Sequence, residues 1–230
     1  MSDIAMPRRA KRSRIILGLA VGLAVAILAL GLGFASTHVI GLVYYVPKLD
    51  RLFAELHRDP VLLDALREQN AALADKDEAW TLAQDKIWNA ERLAGGGPLQ
   101  AAFIERPGSR HLLDIVKASD GLVGHAFLID AKGRMAAAPF LSYNFRQADK
   151  PKFHYTFRLG AGARDVSWLQ MSWDNSHPVC WRAETMVDPS SGVPIGVIAL
   201  EVNYLEVGHF GCIEAPVHTA EERETNRVRE

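Results

Sequence analysis

Four side chains able to hold positive charge crowd into nine residues of this chain: Arg146, Lys150, Lys152 and His154. Cations grouped in that way make charge-assisted hydrogen bonds to a carboxylate or another anion. Further along, the apolar run VPIGVIALEVNY ends in Glu201 and Asn203. A carboxylate there can answer an ammonium if it faces a pocket, or can simply meet water at a strand end. The aromatic residues Trp168 and Trp181 lie between the two groups and can supply flat apolar contact. This is the chemistry of binding a small anion or zwitterion. No Gly-rich phosphate loop and no nucleophile elbow occurs, so no enzyme activity and no cofactor is expected. His209, Cys212 and His218 with Cys180 fit no standard metal-site spacing.

Strands must position these groups. RDVSWLQMSW, PVCWRAETMV and VPIGVIALEVNY are separated by turn clusters at 174–177 and 188–192. If Trp173 pairs with Pro178 and Val187 with Val193, alternation collects Trp168, Gln170, Ser172, Trp181, Ala183, Val197, Ala199, Glu201 and Asn203 on one face. The candidate ligand contacts are therefore Trp168, Gln170, Trp181 and Glu201, with Arg146, Lys150, Lys152 and His154 at the mouth. The opposite face reads as core, interrupted by Arg182 and Glu184.

Upstream, LVGHAFLID and RMAAAP form a hairpin turning at Gly133. From Leu49 to Ala94 apolar residues recur at three- and four-residue steps, bent or interrupted at Asp59–Pro60 and ended by Gly95–Pro98. A short helix over 109–120 is capped by Ser109. Helices precede the sheet instead of alternating with it, so the expected class is α+β: an antiparallel five-stranded sheet with a long N-terminal helix.

The net charge of −1 gives no reason to expect nucleic acid as a partner. Residues 1–14 carry Arg8, Arg9, Lys11, Arg12 and Arg14 against Asp3, and residues 15–34 carry no charge. A helix of ~20 apolar residues spans a bilayer, and the basic flank stays cytoplasmic. The expected organisation is a basic cytoplasmic tail over 1–14, a transmembrane helix over 15–36, an extracytoplasmic domain over 45–207 and a polar tail over 208–230. A cleaved signal peptide is the competing reading of the same run. Anchorage places the chain in the inner membrane as a single-pass protein with its C-terminal domain outside. Cys180 and Cys212 both fall on that oxidising side, where they form either a disulfide or two buried thiols.

The order of membrane helix, outer helix, HAFLIDAKGRMAAA, KPKFHY and VDPSSGVPIGVIALEV resembles the Cache (PDC, PAS-like) extracytoplasmic sensor domains of chemoreceptors and histidine kinases. The resemblance covers roughly residues 45 to 207. It implies a PAS-like fold and a small ligand whose binding shifts the sheet against the helix. KPKFHY is similar to the segment that closes over the ligand in that family. Lys150 stands at an arginine position, Pro151 matches, Lys152 replaces a tryptophan and Phe153 a tyrosine. Glu201 stands near an aspartate that takes a ligand ammonium. With only the short tail before the anchor, the reading is a sensor without its own output domain. It would signal through a partner, as a homodimer or within a membrane complex. The alternative is an accessory subunit of a membrane complex that uses the domain for docking.

Overall fold

The computed structural model describes residues 21, 23, 25–31, 41–140, 144–167, 169–172 and 175–212. The basic tail over 1–14 and the polar stretch over 213–230 lie outside these residues, as does most of the span over 15–36. Residues 21, 23 and 25–31 are helical, with Val21, Leu23, Ile27 and Leu30 exposed. Among the described residues no helix is long and apolar enough to cross a membrane.

The amphipathic stretch is three helices: α1 (Val46–Leu56), α2 (Pro60–Ala72) and α3 (Glu78–Leu93). The expected long helix is interrupted at Asp59–Pro60, one of the two readings there, and again at 73–77, for local reasons. Asp59 accepts from the amides of Val61 and Leu62, and Pro60 at the first helical position needs no donor. Asp77 caps α3 through Trp80. A helix absent from the sequence reading, α4 (Pro98–Ile104), starts where the Glu91 carboxylate accepts from the amides of Leu99 and Gln100. Next comes α5 (Pro107–Ala118). Its N-cap is Arg106 and not the expected Ser109, whose hydroxyl donates to Phe103 O and accepts from Ala138 N.

The sheet is antiparallel and six-stranded: β1 (Val123–Asp130), β2 (Met135–Ala137), β3 (Arg164–Val166), β4 (Gln170–Met171), β5 (Pro178–Val187) and β6 (Pro194–Asn203). The order is β2-β1-β6-β5-β3, with β4 also on β5. The class is α+β as expected, and the extra strand arises because the third expected strand is divided. Its ends pair β5 separately, Asp165 opposite Ala183 and Gln170 opposite Val179. A short helix α6 (Pro151–His154) crosses between β2 and β3, and α7 (Tyr204–Gly211) follows β6 past residue 207.

Each face of the sheet has its own core. Ala126, Leu128, Cys180, Met186, Ile198, Leu200 and Val202 pack with Leu49 and Phe53 of α1, Leu62 and Leu66 of α2 and Leu112 of α5. On the reverse, Phe127, Ile129, Ala183, Val197 and Ala199 pack with Trp88 of α3, Phe103 of α4 and Phe153 of α6. Arg182 and Glu184 do not disturb the register. They reach α1, where Arg182 Nη1 binds Asp50 at 2.6 Å and lies over Phe53, and Glu184 meets His57 Nε2 at 2.8 Å. Burial opposes ionisation of Glu184, but His57 and Arg182 outweigh it and its pKa is lowered. Cys180 and Cys212 are joined by a disulfide that ties the end of α7 to β5.

Candidate functional site

The register of the three central strands builds the site. Across the sheet, His125 of β1, Glu201 of β6 and Trp181 of β5 form one row, and Phe127, Ala199 and Ala183 form the next. Residues opposite each other in a ladder share a face, so all six lie on the side away from α1 and α2. Because Ala199 is small, Phe127 and Trp181 lean together over it, ring centroids 5.0 Å apart. Glu201 is only 3% exposed. Room for its carboxylate comes from Gly124: a Cβ at that position would lie 2.8 Å from Glu201 Oε1.

Lys152 completes the group from α6. Its ammonium stands 4.2 Å from the Trp181 ring centroid and 4.8 Å from that of Phe127. That is a two-walled aromatic box holding a cation, an arrangement worth about 0.5–2 kcal/mol as burial increases. Phe153, buried in the core and stacked on Phe157, fixes α6 above the sheet. His125 forms the third side, edge-on to Phe127 and Phe140. Burial lowers its pKa to about 4, with the charge of Lys152 acting in the same direction, so its ring is neutral at pH 7. Its Nδ1 lies 3.1 Å from Ala126 O.

The structure thus brings together Lys152, Trp181 and Glu201 among the residues singled out by sequence. Arg146 and Lys150 do not form the open cationic cluster expected of them. Arg146 pairs with Glu78 at 2.6 Å and Asp149 at 3.1 Å, and Lys150 lies 3.6 Å from Asp149. Burial opposes the charge of Arg146, yet these acids together raise its pKa. His154 is half-buried, and burial followed by the charge of Arg158 lowers its pKa. Gln170 lies exposed on the edge strand β4 and does not join the box. Trp168 lies outside the described residues. The sequence reading missed Phe127, His125 and Gly124. The signal was the alternation in GHAFLID, which puts 125 and 127 on one face. Among the described residues no group of three or more His, Cys, Asp or Glu gathers to hold a metal. Cys180 and Cys212 form the disulfide, the first of the two states expected of them.

No protein-family model matches the chain, and no curated protein matches it. Among solved structures it is similar to the sensor domain of the V. cholerae histidine kinase DctB, at 17% identity and TM-score 0.44, over 81% of this chain and 61% of that one. It is also similar to the E. coli DcuS sensor domain, at 13% identity and TM-score 0.35, over 60% of this chain and 93% of that one. A third is the ligand-binding domain of the Campylobacter jejuni chemoreceptor Tlp3 in complex with L-valine, at 14% identity and TM-score 0.34, over 69% and 64%. The chain spans about three fifths of the DctB sensor domain's length. Two of these solved structures are sensor domains and the third is the ligand-binding domain of a chemoreceptor.

Proposed function

We propose that the chain is a membrane-anchored extracytoplasmic sensor module that binds a small zwitterion between the sheet and α6. The observation that supports this reading most is the Lys152 ammonium in the Phe127–Trp181 box, beside the buried Glu201. A box that holds one ammonium has the chemistry to hold another. The ligand ammonium takes the place of Lys152 and draws on Glu201 for countercharge. Lys152 swings outward and meets the ligand's acid group, which keeps the charges matched. Anchorage through 15–36, with the domain outside, rests on the basic tail and the uninterrupted apolar run. Signalling then passes to a partner, with Trp181 and Arg182 on opposite faces of β5 linking the box to α1.

Thermal shift and calorimetry on the full chain in detergent test this, with α-amino acids, matched dicarboxylates and simple amines as ligands. Zwitterions should stabilise the protein, and Glu201→Gln or Trp181→Ala should remove the effect. Stabilisation by dianions alone would refute the box as the site. A second reading, an accessory subunit that docks through the domain, is favoured by one fact: the box is already filled by the chain's own lysine. It gains if no small molecule stabilises the protein while one membrane protein co-purifies in fixed ratio.

A further inference from the structure

On the other side of the sheet, α2 and the start of α5 leave a groove of about 510 Å³. That volume suits a small molecule. Its walls are aliphatic and small: Val61, Ala65, Ala72, Pro107 and Ala136. Four polar side chains line it, Asp64, Glu68, Gln69 and Arg106, and the last two are coupled. Gln69 is buried, and its amide nitrogen donates to Met135 O at 2.9 Å and Asp130 Oδ2 at 3.2 Å. With the nitrogen so committed, the amide oxygen is turned to accept from Arg106 Nη1 at 2.9 Å. The guanidinium also lies over the Phe103 ring, 4.6 Å from its centroid. Arg106 is therefore a cation held from two sides at the mouth of a groove. Among the described residues no acid shifts its ionisation; partial withdrawal from water alone does so, lowering its pKa.

We propose that this groove is a second ligand site, for a small aliphatic monocarboxylate whose acid group pairs with Arg106. A planar guanidinium with donors to spare matches a carboxylate in two-pronged geometry. Aliphatic walls without aromatic faces favour a short alkyl body over a flat ring. The α2 wall carries Asp64 and Glu68, and of the two only Asp64 is in an ion pair among the described residues, with Arg67 at 2.9 Å. A second carboxylate on the ligand would face those acids, so the groove selects a single negative charge. The site lies across the sheet from the aromatic box and does not depend on it.

The test uses the full chain in lipid nanodiscs, titrated calorimetrically with hexanoate, adipate and hexylamine. These share an alkyl body and differ in charge. Hexanoate should bind saturably, with adipate and hexylamine at least tenfold weaker. Arg106→Gln should weaken hexanoate about ten- to hundredfold, the scale of a lost charged hydrogen bond, and Arg106→Lys should fall between. Ala72→Phe, which fills the groove from an exposed position, should abolish binding with an unchanged melting temperature. Lys152→Ala, in the box, should leave hexanoate binding as it was. Absence of saturable hexanoate binding overturns the proposal, as does indifference to Arg106→Gln or equal affinity for all three compounds. Loss of binding in Lys152→Ala would also overturn it, by placing hexanoate at the box.

Discussion

Replacing Asp130 by Asn changes little in shape and removes one buried charge, so its cost measures the ion pair at the β1–β2 turn. Asp130 and Arg134 are both 0% exposed, with Nε to Oδ2 at 2.6 Å. The carboxylate accepts four bonds: from the amides of Lys132 and Arg134, from Arg134 Nε and from Gln69 Nε2. The guanidinium is less well served, since Nη1 reaches Leu73 O at 3.1 Å and Nη2 has no hydrogen-bond partner among the described residues. Asp130→Asn leaves that guanidinium buried without an anion, a state that costs about 3–5 kcal/mol. Domains of this size are stable by only about 5–15 kcal/mol and lose roughly 2–4 °C per kcal/mol. The melting temperature should therefore drop by roughly 6–20 °C. Urea unfolding followed by circular dichroism measures it, with the midpoint falling and the slope unchanged. Removing the second charge as well, in Asp130→Asn with Arg134→Met, should recover at least about 2 kcal/mol of the loss, because no orphan charge remains. A single-variant cost below about 1 kcal/mol, or costs that merely add, would refute the view that this pair is a coupled, water-excluded unit.

Three further outcomes follow from other parts of the molecule. Cys180→Ser should lower stability by about 3–4 kcal/mol in the chain-entropy account of a bridge spanning 32 residues; equal urea midpoints with and without dithiothreitol would contradict it. His125 has a folded pKa of about 4 against an ordinary 6.5, so its contribution is complete above pH 6.5 and is lost as pH falls towards 4. The unfolded chain takes up the proton first, and the loss reaches about 3 kcal/mol. His125→Phe should flatten that part of the profile of urea midpoint against pH, and an equal slope in variant and parent would count against a neutral buried ring. Gly133→Ala should destabilise by at least about 1 kcal/mol, since φ is +74° and a Cβ would sit 2.5 Å from Ala148 Cα; an unchanged melting temperature would show that the turn adapts.

What the sequence could reveal of this molecule tracks the separation between interacting residues. Turn clusters at 174–177 and 188–192 bounded β5 and β6, but the pairings differ from those expected: Pro178 meets Met171 and not Trp173, and Val187 meets Pro194 across a bulge and not Val193. The β5–β6 offset is two residues along most of the ladder, an even shift, so alternation still put Trp181, Ala183, Val197, Ala199 and Glu201 on one face. Period alone could not explain Arg182 and Glu184 in a core row, because Asp50 and His57 arrive from a helix more than a hundred residues earlier. The basic loop shows the same limit from the other side. Four cations in nine residues read as one cluster only while their acids are unseen; Glu78 and Asp149 claim Arg146, and the aromatic rings claim Lys152.

The opening between α2 and α5 was illegible for a further reason: it consists of space left between elements, and no periodicity reports a space. The guanidinium at its mouth is held by one glutamine whose amide is oriented from behind by Asp130 and the backbone of Met135. Gln69 thereby links the turn pair to the groove, so Asp130→Asn should disturb the set of Arg106 as well as stability. Glu201 shows the converse. Its residue type and strand were evident from sequence, yet its burial depends on Gly124, a residue whose contribution is the absence of a side chain. A carboxylate at a strand end faces water by default. Here a glycine on the neighbouring strand gives it room against the sheet, within the same row as a neutral imidazole and an indole.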